Sequence, residues 1–311
     1  MTTTNRNALV VIVVACLLGT AFGGSFTVAL DRPRPSQVPA GIVVGPSTHQ
    51  AAAEIEARTQ DGLAFRPYPT PAAVKRAIDQ QEIYAGLVPF DGGAQLLVAS
   101  AAGSSLADIL RRAAGTEIPV LDLRPLPESD ASGLLPFYLV LAATVTGFVA
   151  VLQLHTHAPQ LSLRGLLLSI SSLAMGAGGM FGIVTGPLLG SQQGALPEVC
   201  ATVAGMIVVA ALWCSAMQGF FGPWKFIPTF GFLMVLGIPS SGGAVAPPLL
   251  PRGYRFLAQV LPTGAAIETI RGALYFPDAQ RVESILVLIA WSLGNLALLL
   301  IARRQSWATR R

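Results

Sequence analysis

The sequence predicts an α-helical polytopic membrane protein with six transmembrane helices and an extracytoplasmic α/β domain inserted between helices 1 and 2. Three observations carry this. The 311-residue chain is 52% hydrophobic and only 12% charged, with mean hydropathy +0.60, whereas soluble domains carry about 25% charged residues. Six stretches reach the roughly 20 mostly apolar residues that a bilayer-crossing helix needs. Between the first and second of them, residues 31–133 lose that character and alternate short apolar runs with amphipathic ones.

The apolar stretches are 8–30, 134–154, 165–189, 199–221, 227–245 and 282–302, and charge stays out of their interiors. The first follows Arg6 and resembles a secretory leader, but its apolar run is longer than the 7–15 residues of a leader's core, which favours a retained anchor. Short loops set orientation. With the N-terminus inside, the inner segments hold Arg6, Arg164, Lys225, Arg303, Arg304, Arg310 and Arg311, while the short outer loop GSQQGALPE holds no Lys or Arg. Arg252, Arg255, Arg271 and Arg281 fall on the outer side and weaken the asymmetry. The expected layout is a multi-pass protein of the cell membrane with both termini cytoplasmic. It divides into an N-terminal helix (1–30), the outer domain (31–133) and a five-helix membrane domain (134–311) with outer re-entrant helices near 246–276. The net charge of +4 is scattered rather than gathered in a patch, which points to the lipid bilayer and not to nucleic acid.

In the outer domain, GIVVG reads as a strand. PSTHQAAAEIEARTQDG reads as a helix capped by Ser47 or Thr48 and stopped by Gly62. LAFRPYP is a second strand, and TPAAVKRAIDQQE a second helix with Thr70 as cap and Pro71 in the first turn. IYAGLVPF, the turn DGG and AQLLVASAA give two further strands, and SSLADILRRAAG a helix ending at Gly115. Such alternation predicts a small α/β sheet. No catalytic constellation is visible. His49 has Glu54 and Glu56 nearby but no second His or Cys, VASAAGSS lacks a phosphate-loop lysine, GxSxG is absent, and Asp79, Glu82 and Asp91 read as solvated. The three cysteines lie in apolar runs as small fillers. The sequence therefore predicts no enzyme, cofactor or metal site.

In the membrane part, Gly178, Gly182, Gly186 and Gly190 recur every four residues. On a helix this makes a flat strip for close backbone approach, or, alternatively, a substrate-lining face. Pro187 is expected to kink or end that helix, and His155 and His157 to lie in an interfacial loop. GIPSSGGAVAPPLLP (237–251) cannot stay helical throughout, and irregular backbone at membrane depth survives only under protein or beside a water-filled cavity. Two short helical pieces follow, the second carrying Glu268 and Arg271 at pairing distance.

These residues carry a resemblance. Gly237, Pro239, Ser240, Ser241, Gly242, Gly243, Pro248, Pro251 and Pro262, then AIETIRGALYF, together with the IVVG and IYAGLVP strands, resemble the ABC-2 type permease superfamily and its YhgE/Pip (phage infection protein) branch. The resemblance implies a permease that pairs as a homodimer or with a related permease and exports lipids, polysaccharides, drugs or peptides. Energy would come from a separate nucleotide-binding ATPase, since no Walker motif is present, docked on the Arg164 and Lys225 loops. It also implies an alternative: a non-transporting envelope or secretion-accessory protein that binds a partner through its outer domain.

Overall fold

The computed structural model describes residues 3–31, 33–189 and 194–308. Five helices in it are long and apolar enough to cross a membrane: Asn5–Leu30, Leu135–His157, Leu163–Gly186, Leu196–Ser240 and Val282–Gln305. Helices suit such sequence because every backbone N–H and C=O is bonded within the segment. The first lies in α1 (Thr3–Leu30). A five-stranded sheet stands between α1 and the remaining four.

The sheet is built from β1 (Val38–Val43), β2 (Leu63–Tyr68), β3 (Ala85–Phe90), β4 (Gly93–Val98) and β5 (Val120–Asp122) in the order β2-β1-β3-β4-β5. β1 runs parallel to β2 and β3, β4 antiparallel to β3, and β5 parallel to β4. Helices α2 (Pro46–Thr59), α3 (Pro71–Asp79) and α4 (Ser104–Ala114) connect them. Side chains alternate across the strands with period 2. Leu87, Leu96 and Val98 pack with Ile55 of α2 and Leu110 of α4, whereas Val88 and Leu97 join Val74 and Ile78 of α3. Thr70 caps α3 through Ala73 N–H, as its sequence suggests. The start of α2 differs: Gly45 is the cap, and the Thr48 hydroxyl donates back to the Val43 and Gly45 carbonyls. The helix stops at Gln60, in left-handed backbone, before reaching Gly62. Asp79, expected to be solvated, accepts from Arg124 Nε at 2.8 Å.

The membrane-compatible helices α5 (Leu135–His157), α6 (Leu163–Leu189), α7 (Leu196–Phe221) and α12 (Val282–Ala308) pack around α7. α6 continues through Pro187 to Leu189, so that proline does not end it. His155 and His157 form the last turn of α5 rather than a loop. After α7 the chain turns at Gly222, whose φ of +54° suits glycine, through a 3-10 turn to Lys225. It continues as α8 (Phe226–Phe230), a π-helical segment (Gly231–Gly237) and α9 (Ile238–Ser240). Straightened, the 45 residues of Leu196–Ser240 would span about 68 Å at ~1.5 Å per residue. They double back instead, and Trp213 of α7 stacks on Phe232 with ring centroids 4.3 Å apart.

Helicity stops at Ser240, five residues short of the expected end at 245. Irregular chain, a 3-10 turn (Pro247–Leu249) and two helices, α10 (Arg252–Val260) and α11 (Pro262–Tyr275), then lead to α12. This segment runs beneath the sheet. Ala246 and Leu249 enter the core between the sheet, α2 and α4, and the opposite face shares one apolar cluster with Tyr275, Phe276 and Phe137. α1 is attached near its sheet-side end. There Ser25 Oγ donates to Val235 O at 2.5 Å and lies 2.9 Å from Tyr254 Oη, and Phe22 meets Phe230.

Candidate functional site

The irregular stretch after Ser240, α10, α11 and the start of α12 surround a cavity of about 300 Å³ that the sheet unit roofs with Tyr84. Each wall has a local cause. Pro247 and the bends from Ser241 onward keep the chain from continuing as helix. Pro251 ends that stretch as the cap of α10, and its carbonyl accepts Arg255 N–H at 2.9 Å. Leu261, extended, joins α10 to Pro262 in the first turn of α11. The two helices meet where Gly264 faces the Ala258 carbonyl, with no room for a Cβ.

The expected motif residues mostly shape this site rather than face it. The Gly237 carbonyl accepts the Thr263 hydroxyl at 2.8 Å. Pro239 is buried in the first turn of α9, and Ser240 and Ser241 donate to the Leu236 and Ile238 carbonyls, each at 2.6 Å. Gly242 takes φ +75°, and a Cβ on Gly243 would strike Ile267 and Phe137. The Pro248 carbonyl accepts Ser36 N–H at 3.3 Å and Arg255 Nη2 at 2.9 Å, tying the irregular segment before β1 to α10. Arg271, 4% exposed, reaches Glu268 at 3.2 Å and donates to the Gly242 carbonyl at 2.8 Å. Of the expected residues, Ser241 and Glu268 line the cavity.

Sequence reasoning missed Tyr84, Gln259, Gly264 and Ser284 as lining residues, and met Glu283 only as a charge at a span end. Tyr84, Gln259, Glu283 and Ser284 make no side-chain hydrogen bond or ion pair among the described residues. Burial, then the Glu268 carboxylate, pushes the Tyr84 phenol well above its ordinary range, with Arg271 and Arg255 opposing. Its hydroxyl therefore stays neutral and can donate or accept.

The other expected features fall elsewhere. Gly178 and Gly182 face Cys200 and Ala204 of α7, Gly186 is in ordinary contact with Leu196, and Gly190 lies outside the described residues. The described strip is packing surface within the chain. Arg164 is exposed at the start of α6. Lys225 is not on an exposed loop: it is 8% exposed, and its Nζ lies 3.0 Å from His155 Nδ1. A second crevice, about 240 Å³, opens at the carboxyl end of β3 between Ser47, Gln50, Glu54, Gly92 and Glu117. It lies between α2, the β3–β4 turn and the segment that leads into β5. No group of His, Cys, Asp and Glu suited to a metal ion occurs among the described residues. No known protein family, curated protein or solved structure matches the chain.

Proposed function

We propose that this chain is the membrane permease subunit of an ABC-2 type exporter, moving a lipid, drug, peptide or other envelope component outward with energy from a separate ATPase. On this reading it lies in the cell membrane with both ends cytoplasmic and residues 31–133 outside. The stretch Leu196–Ser240, reversed at Gly222, crosses twice and brings the spans to six. The observation that carries the reading is the cavity beneath Tyr84. Concave sites between structural units are where ligands bind, and this one forms where a broken span and two short helices meet the outer domain. With Lys225 folded in, Arg164 is the docking residue that remains. With Gly178 and Gly182 against α7, a second copy or a related permease pairs through another face.

The test is purification of the tagged chain from native membranes in mild detergent. A nucleotide-binding protein should copurify, and Arg164→Glu should reduce its recovery at least tenfold. If no such protein is recovered and a deletion strain shows unchanged efflux, the exporter reading is wrong. The crevice by Glu54 and Glu117 favours a second reading, an envelope or secretion-accessory protein whose outer domain holds a partner. In that case crosslinks from Gln50 in intact cells should capture one surface protein while efflux is unaffected.

A further inference from the structure

Charge is divided between the two ends of the long helices. All sixteen Asp and Glu residues fall between Asp31 and Glu283, in the sheet unit or at the helix ends beside it. The pairs of Arg111 with Asp122 and of Arg281 with Glu198 lie there. The opposite end, where α5 stops, α7 turns at Gly222 and α12 runs out, holds no Asp or Glu. Basic groups from three elements converge at that end instead. Lys225, in the turn after α7, places Nζ 3.0 Å from Nδ1 of His155, in the last turn of α5. Arg303 of α12 is near enough to act on the same imidazole, and it follows Ala302, which meets Gly219 of α7. No carboxylate acts on His155 or on Lys225.

An ammonium has donors and no acceptor, so Lys225 donates and His155 Nδ1 accepts. The imidazole proton then sits on Nε2, which remains a donor. Lys225 is 8% exposed, and a buried cation without a counter-ion is costly. An anion can approach through His155 and Arg303, which are half-buried, with exposed Arg304 next in the chain. Around the turn, Phe221, Trp224 and Phe226 are exposed, and aromatic rings so placed favour a membrane–water interface.

We infer that the Lys225–His155–Arg303 cluster binds the phosphate of an anionic phospholipid headgroup, with Phe221 and Trp224 holding the turn at headgroup level. Charge complementarity selects an anion. The position, at the ends of membrane-compatible helices beside exposed rings, selects a lipid over a soluble phosphate. Basic pockets between membrane helices take such headgroups. The inference goes beyond the exporter reading and rests only on the helices crossing a bilayer.

The test is native mass spectrometry of the full chain released from detergent micelles. The chain is titrated with dioleoyl phosphatidylglycerol and, separately, with dioleoyl phosphatidylcholine. The parent protein should retain the anionic lipid preferentially. Arg303→Gln should cut that preference about fivefold, the worth of one basic group beside anionic lipid. Lys225→Gln should cut it similarly, and Lys225→Arg should preserve it. Arg252→Gln, which removes an exposed cation at the start of α10, should leave it unchanged. Sodium chloride at about 0.5 M should weaken the preference by screening. If Lys225→Gln does not fold, Arg303→Gln and the salt series decide. Equal retention of the two lipids by the parent, a preference that survives Arg303→Gln, or an equal loss in Arg252→Gln overturns the inference. Full competition by soluble glycerol 3-phosphate also overturns it, assigning the cluster to a free phosphate. Loss of a copurifying ATPase in Arg303→Gln with the lipid preference intact assigns it to a protein partner instead. Because no transport is measured, an inactive exporter leaves this result standing, and an absent lipid preference leaves the efflux test standing.

Discussion

Gly264 and Gly176 both sit within helices, α11 and α6, and face opposite constraints. A Cβ on Gly264 meets the Ala258 carbonyl, which belongs to backbone and cannot swing away, whereas Gly176 has open space around it. Gly264→Ala should destabilise by at least the ~1–3 kcal/mol typical of overpacking, seen as a lower Tm of the detergent-solubilised protein. Gly176→Ala should be neutral or stabilise by up to ~1 kcal/mol, since alanine loses less backbone entropy in a helix. Equal Tm values for the two variants would contradict this packing. Arg271→Ala, which strips a charged donor from the Gly242 carbonyl, should cost about 1.5–3 kcal/mol in the same assay. Sequence showed these residues unevenly. The four-residue spacing announces Gly178 and Gly182, and the three-residue spacing of Glu268 and Arg271 announces their pair. Nothing local marks Gly264, because its constraint is imposed by the neighbouring helix. Lys225 reads as solvated for a similar reason: the imidazole beside it, His155, is 70 residues away in sequence.

At the scale of elements, periodicity made the strands and the helices between them legible, since each buries a face at its own repeat. What escaped was structure with a cause outside its own segment. The π-helical turn Gly231–Gly237 has an ordinary apolar sequence. Its carbonyls at Val235 and Gly237 are bonded by hydroxyls from α1 and α11, partners that no window around residue 235 contains. The three-residue β5 is too short to show a repeat, and is held by its pairing with β4. The sheet unit also depends on its neighbours. Its Val74–Ile78–Leu97 face shares one core with Phe137, Tyr275 and Phe276, and Ala246 and Leu249 fill its other side. Residues 31–133 expressed alone should therefore expose apolar surface, bind the dye ANS and self-associate in size-exclusion chromatography. A monodisperse, dye-silent fragment would show that the shared core is dispensable.

For the whole molecule, the chain reverses at Gly222, a point that sequence hydropathy already separates into two apolar runs. At the end far from the sheet, Lys225 meets His155, and Gly219 meets Ala302. The proposed orientation makes a direct prediction. With Cys16, Cys200 and Cys214 replaced by alanine, an impermeant maleimide applied to intact cells should label Gln50→Cys and leave Ser306→Cys untouched until the cells are lysed. Labelling of both in intact cells would place the far end outside and remove the basis for an internal ATPase.

The attachment of α1 has a mechanical consequence. Its ring contact and hydrogen bond fall at Phe22 and Ser25, while Leu9, Val11, Ile12 and Leu17 are exposed. A rod held mainly near one end pivots about that hold. Any tilt of α1 pulls on the Val235 carbonyl, and through the π-helical turn it reaches the segment that leads into the walls beneath Tyr84. If α1 crosses a bilayer, thickness and lateral tension, which set the angle of such a rod, would act on the chamber through it.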